Sequence, residues 1–329
     1  MTGIQQLLLT NFISGVSDQT ATILVVAGGG GGGAGGPAEA IGGVVPADSD
    51  GSTSIQGGRG AGGGAGGLIF IDSAFPMVGG TEYTITVGAG AFMSRKGSNS
   101  VVTGGGRTLT AIGGGAAGID DNRSNKIDKG GGSGGGAWYS DGQIGGCAEQ
   151  TALTNDGIST YASTGFGNDG GDGNGSPPYG AGGGGAGEAG GEGASGGTYG
   201  TRTGNFGGIG KEIDILGSSN VYYAGGGAST AHAVVLQGSA TTGGILHMDH
   251  GWKGGGGFAD NTTNTTAGTT LTNGRPNTGG GGGSGGNGGK GIVIIRLPNA
   301  ATSTTGAPSE TTVGGEIVYY FSSDGTLTI

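Results

Sequence analysis

Gly279–Leu297 reads GGGGGSGGNGGKGIVIIRL, a glycine tract that runs directly into an apolar strand. Its side-chain-bearing residues ahead of the strand, Ser284, Asn287 and Lys290, stand three apart. A left-handed helix of the polyproline II type, with three residues per turn, places such side chains on one edge and leaves glycine backbone bare on the other two. Bare edges let backbones approach closely. The same spacing recurs at Ala34, Pro37 and Ala40, and at Ala186, Ala189, Glu192, Ser195 and Thr198, where Glu188 and Ala194 interrupt it. The glycines are therefore read as placed for packing, with the strand as their anchor.

Composition narrows the alternatives. The chain holds 93 glycines in 329 residues but only 8 prolines, and its rich tracts run at two glycines in three. Collagen needs one in three with proline-rich positions between, so collagen is excluded. A flexible glycine linker is opposed by the three-residue spacing and by the apolar strands between the tracts. Ordering a residue costs about 1–2 kcal/mol, against about 1 for a net hydrogen bond and about 0.5–1 for a Cα–H···O contact. A glycine lattice alone is near break-even and needs strands at its base.

The net charge of −10, with no basic stripe, argues against nucleic acid as a partner. The lone Cys147 has no internal disulfide partner, which points away from an oxidising compartment. The opening MTGIQQLLLTNFISG lacks the basic region of an export signal, and no long apolar run predicts membrane insertion. Residues 1–20 concentrate Ile4, Leu7, Leu8 and Phe12, read either as a covering terminal segment or as an arm that anchors on a partner.

Strands are predicted at Ala21–Ala27, Gly67–Asp72, Thr81–Val87, Val101–Thr103, Arg107–Ile112, Asn220–Ala224, Ala231–Gln237, Gly244–Met248 and Gly291–Leu297. The glycines between Val101–Thr103 and Arg107–Ile112 suit a hairpin. Pro298–Gly315 reads as a polar connector, and Glu316–Phe321 with Thr326–Ile329 as a C-terminal hairpin over 316–329. Glycine-rich insertions occupy about 113–219 and 251–289. The expected fold is all-β: an antiparallel, jelly-roll-like sandwich with insertions packed as polyglycine II-type helices and almost no α-helix, in one domain over 21–329.

Motifs for chemistry fail on context. ILVVAGGGGGG imitates a dinucleotide-binding loop, but no helix follows it to hold a pyrophosphate, so no cofactor is expected. His247, Asp249 and His250 offer metal ligands, yet neighbours on an extended chain point opposite ways. NDGGDGN, with Asp169 and Asp172, has calcium-type oxygens without a suitably spaced glutamate. No metal site is assigned. No nucleophile stands with a base and an orienting acid, so no catalytic residue is assigned and the chain is read as no enzyme.

ILVVAGGGGGG, TEYTITVGAGA, SNSVV, AIGGGAAG, NVYYAGGG and GGKGIVIIRLP resemble, in that order, the glycine-rich domain of bacteriophage tail and virion proteins. MTGIQQLLL and AATSTTGAPSETTVGGEIVYYFSSDGTLTI are similar to the openings and endings of such proteins. The resemblance implies a β-sandwich carrying polyglycine helices, with a structural or adhesive role and no catalytic residue. The expectation is a virion-surface protein made in the host cytoplasm, most readily a tail-fibre or tail-tip component for host attachment. Its partners are then other virion proteins, further copies of itself (a trimer by symmetry) and a host receptor or glycan. Trp138, Tyr139, Tyr179, Tyr199, His247, His250 and Trp252 are the candidate surface contacts, each with lattice capping as its alternative role. The rival expectations are a capsid decoration protein held by its N-terminal arm and an ice- or polysaccharide-binding protein. Ice-binding faces want threonine ladders, and Thr262–Thr272 are irregularly spaced.

Overall fold

The computed structural model describes residues 17–33, 60–118, 129–138, 143–150, 164–173, 180–193, 206–217, 221–229, 253–257 and 272–329. Within them the β-branched run before the first glycine tract forms β1 (Gln19–Val26), and the strand ending the Gly279–Leu297 stretch forms β9 (Ile292–Leu297). These two pair antiparallel, with Ile23 opposite Ile295 and Val25 opposite Val293. On either side of them lie β2 (Leu68–Met77) and β12 (Glu316–Phe321), flanked by β6 (Thr164–Phe166) and β11 (Ser309–Val313). The six-stranded order is β11-β12-β9-β1-β2-β6. A second sheet joins β3 (Glu82–Thr86), β4 (Ser100–Gly104), β5 (Arg107–Ala111), β10 (Ser303–Thr304) and β13 (Gly325–Thr328) in the order β10-β13-β3-β4-β5. A small ribbon pairs β7 (Lys211–Glu212) with β8 (Tyr222–Tyr223). The described residues form an all-β structure with antiparallel sheets and no α-helical element.

Burial explains the sequence patterns. One apolar cluster draws Ile23, Val25, Ile71, Phe75, Val293, Ile295 and Phe321 from the six-stranded sheet and Tyr83, Ile85, Val102, Leu109 and Leu327 from the five-stranded one. The alternate residues of the six-stranded sheet, Leu24, Val26, Ile292, Ile294 and Val318, join Ile213, Ile215 and Tyr223 in a second cluster. Strands covered on both faces need no polar alternation, so β1 and β9 read as continuous apolar runs. β3 alternates exposed and buried because its other face meets water.

Polar joints tie the clusters together. Ser100, wholly buried, accepts from Gly88 N and donates from its Oγ to Val26 O, both at 2.8 Å. Val78 N donates to the Tyr83 hydroxyl at 2.8 Å, whose ring meets Phe75 edge-on.

Several expectations are corrected. Glu316–Phe321 and Thr326–Ile329 are not a hairpin: β12 pairs with β9 and β11, while β13 pairs with β3 and β10 in the other sheet. The chain crosses between sheets at Ser322–Asp324, where Asp324 Oδ1 takes the Val87 N–H at 2.8 Å. The true hairpin is β11–β12, turning through Gly314 and Gly315, both at positive φ. Pro298–Gly315 is therefore no mere connector, since it contains β10 and β11. The insertion at 113–219 contributes β6 and β7. The hairpin β4–β5 is as predicted, with Gly105 and Gly106 both at positive φ. Ala231–Gln237 and Gly244–Met248 lie outside the described residues.

Candidate functional site

At the end of β1 the chain enters Gly28–Gly33, and this segment organises the glycine-rich half. Gly28, Gly29 and Gly30 donate to Ser98, Gly289 and Gly64; Gly31, Gly32 and Gly33 donate to Arg95, Gly286 and Ala61. The same three segments are used twice, each three residues earlier the second time. Carbonyls also use three segments twice, each three residues later the second time: those of Gly28, Gly29 and Gly30 accept from Gly114, Ala91 and Gly282, and those of Gly31, Gly32 and Gly33 from Ala117, Ser94 and Gly285. All these bonds measure 2.8–3.1 Å, so every backbone polar group of Gly28–Gly33 is satisfied by a neighbouring segment. The rotation repeats elsewhere: Ala181, Gly182 and Gly183 donate to Ala137, Gly191 and Gly227, and Gly184, Gly185 and Ala186 to Gly134, Glu188 and Ala224.

Glycine is required here by space, not by dihedral freedom. None of Gly28–Gly33 has positive φ. A Cβ on Gly29, Gly30 or Gly32 would sit well inside 3.0 Å of the carbonyl oxygen of Gly280, Gly115 or Gly283. Those obstacles are backbone, which cannot swing aside.

Two predicted registers cross reversals. The chain turns at Gly285, whose φ is 72°, and Gly289 N returns to bond Gly280 O. Ser284 thus lies on the outgoing segment, and Asn287 and Lys290 on the returning one. Likewise Gly185 N bonds Glu188 O and Gly182 N bonds Gly191 O, so Ala186 and Glu192 flank a turn.

A path of hydrogen bonds crosses the far end of these segments, away from the sheets. Gly33 N bonds Ala61 O, Gly62 N bonds Ala181 O, Ala181 N bonds Ala137 O, and Ala137 N bonds Gly171 O. It continues from Gly171 through Gly182 and Gly191 to Phe206. On the other side Gly285 bonds Gly33, Ser284 bonds Ala228, and Ala228 bonds Gly257. The described residues flanking 34–59, 139–142, 174–179, 194–205 and 258–271 stand at this end, whereas Gln150, which flanks 151–163, and Lys253, which flanks 230–252, lie beside the strands. Phe92 and Ile144, exposed by 49% and 51%, belong to segments that reach it. Asp18, Gly79 and Ile329 mark the opposite end, where Gly79 N bonds Asp18 Oδ1 and Gly80 N bonds Ile329 O.

Of the candidate contacts only Trp138 is described, and it is buried at 6% exposure. That removes it from the surface set, because a contact must be reachable. Tyr139, Tyr179, Tyr199, His247, His250 and Trp252 lie outside the described residues, as do Ile4, Leu7, Leu8 and Phe12. Asp169 and Asp172 serve the lattice: Asp169 Oδ1 takes Ala148 N at 2.6 Å and Asp172 Oδ1 takes Gly145 N at 2.7 Å, pinning 143–150 to 164–173. Among the described residues no three histidine, cysteine or acidic side chains gather to hold a metal.

Titration is perturbed at the neighbouring tyrosines of β8. Burial pushes the Tyr223 hydroxyl up to about 12, and the neighbouring Tyr320 adds to it. Tyr222 is raised chiefly by its hydrogen bond to Glu212.

One surface feature went unread in the sequence. On the solvent face of the five-stranded sheet, Thr326 stands opposite Thr84, Thr84 opposite Thr103, and Thr103 opposite Thr108. Thr305 extends the rank, its Oγ1 3.0 Å from that of Thr326. Thr103 and Thr108 share a hydroxyl contact at 3.1 Å. Alternating threonines at 84 and 86, 108 and 110, and 326 and 328 were the available signal, but strand order is needed to align them.

Compared with family models, curated proteins and solved structures, the chain matches none.

Proposed function

We propose that this protein is a non-enzymatic bacteriophage virion structural protein exposed on the particle surface, a tail-fibre or tail-tip component with a host-adhesion role. In this reading the two larger sheets form a jelly-roll-like sandwich, and the glycine segments are polyglycine II-type helices standing on it as a stiff block. The carrying observation is that the flanks of five stretches, 34–59, 139–142, 174–179, 194–205 and 258–271, gather at the end of the lattice farthest from Asp18 and Ile329. Such an arrangement brings the described flanks of these stretches together on one support, and recognition residues are commonly carried on connections that a scaffold positions. Tyr139, Tyr179 and Tyr199 belong to three of these stretches, and His247, His250 and Trp252 to 230–252, which is not among them. Their partner is a host surface receptor or glycan, while other virion proteins and further copies of the chain hold the opposite end.

The test is antibody–gold labelling of 113–219 on intact particles. Label on the tail supports adhesion; label over the head favours a capsid decoration protein held through residues 1–20; no labelled particle overturns both. Alanine substitution of the six aromatic and histidine contacts must also slow adsorption to host cells.

The threonine rank favours a second reading, binding to ice. Hydroxyl and methyl groups repeat across strands spaced about 4.8 Å apart. A twist of about 20–25° per strand bends the rank away from a plane, which ranks this reading below the first. Thermal hysteresis in the purified protein that disappears in Thr84→Lys would restore it.

A further inference from the structure

Among the described residues two asparagines precede glycine, Asn273–Gly274 and Asn287–Gly288. Asparagine side chains are chemically labile, most of all before glycine, whose amide nitrogen has no Cβ to hinder it. That nitrogen attacks the asparagine Cγ, the new N–Cγ bond closes a succinimide, and the Cγ–Nδ2 bond breaks. The amide proton leaves with Nδ2 as ammonia. Water then opens the ring at either carbonyl, giving aspartate or isoaspartate.

The attack needs a free glycine N–H and a side chain able to turn over it. Here Gly274 N donates to Asn287 O and Gly288 N to Ala91 O, both at 2.8 Å. Asn287 N holds Asn273 Oδ1 at 2.8 Å, and Met93 N holds Asn287 Oδ1 at 3.2 Å. Each asparagine thus helps to fasten the other, and both attacking nitrogens are engaged. Burial alone is not the shield, since both side chains are only half-buried.

We infer that Asn273 and Asn287 form a fold-gated deamidation site, silent in the closed lattice and reactive when the segments around Gly274 and Gly288 part. Isoaspartate adds a carbon to the main chain. In a lattice whose bonds recur every third residue, that extra carbon shifts the following N–H out of register, so an opened edge cannot close again. Wherever isoaspartate forms, the pair turns lattice opening into a one-way event.

The experiment incubates the full-length protein in heavy-oxygen water at mildly alkaline pH, folded and in guanidinium chloride, and maps both sites by mass spectrometry. Both asparagines convert at least about tenfold more slowly in the folded protein, the factor given by an opening free energy of about 1.4 kcal/mol. Folded and unfolded rates agreeing within about twofold would overturn the inference. Gly286→Ala, whose Cβ would meet Thr272 O, loosens the same edge and raises the rate. Should that variant not fold, the wild type in graded urea serves instead. Conversion must then rise with amide exchange at Gly274 and Gly288, and exchange rising without conversion refutes the gate.

Discussion

Replacing Gly30 by alanine puts a methyl group where three backbone atoms already stand. Its Cβ would fall inside 3.0 Å of Gly115 O, Gly115 C and Gly114 O. To admit it, the segments carrying Gly30 and Gly115 must separate, which strains Gly30 N→Gly64 O at 2.8 Å and Gly282 N→Gly30 O at 2.9 Å. Overpacking costs about 1–3 kcal/mol, and each buried bond broken leaves groups unsatisfied at about 1–3 kcal/mol. Stiffening of the unfolded chain offsets about 0.4–1 kcal/mol. The expected net loss is about 3–5 kcal/mol, a large share of a typical total of about 5–15. Gly315→Ala is the control: its φ is 88° and nothing lies within 4 Å of an added Cβ, so only the left-handed conformation is penalised. That costs about 1–2 kcal/mol. Denaturant unfolding followed by circular dichroism gives both numbers. If Gly30→Ala loses no more than Gly315→Ala, close backbone packing is not why the lattice is glycine.

Two further outcomes are expected. Ser100→Ala leaves the buried Gly88 N–H without its acceptor and takes one of the Val26 C=O bonds, which costs about 1–3 kcal/mol in the same assay, and no measurable loss would mean that another group takes the bonds. Tyr223 stays neutral in both states below pH 10. Between 10 and about 12 the unfolded chain ionises while the fold resists, so stability falls through that window by about 2–3 kcal/mol. Alkaline unfolding of Tyr223→Phe should show a shallower decline, and an unchanged decline would assign the effect elsewhere.

Legibility in the sequence followed burial. β1, β2, β9 and β12 were readable because apolar side chains had to be covered. β11 was not, since Ser309–Thr312 are exposed and its stability comes from pairing with β12, which composition does not record. The terminal hairpin was misread because nearness in sequence favours local pairing, whereas Phe321 and Leu327 reach one apolar cluster from opposite sheets. At the candidate site the sequence offered Trp138 either as a surface contact or as a cap on the lattice, and its burial removes the first; the other six candidates lie outside the described residues. The threonine rank required strand order, which no single segment contains.

The glycine tracts divide the same way. That they must pack backbone to backbone was written in their composition, because only a residue without Cβ admits a neighbouring carbonyl so close. Which segment lies beside which, and where each turns back, was not. Every glycine offers the same N–H and C=O, so local sequence cannot tell Gly64 from Gly289 as a partner for Gly28–Gly33. Only the strands at the base, with side chains that pack in one register, decide where each glycine segment enters the lattice and hence whom it meets.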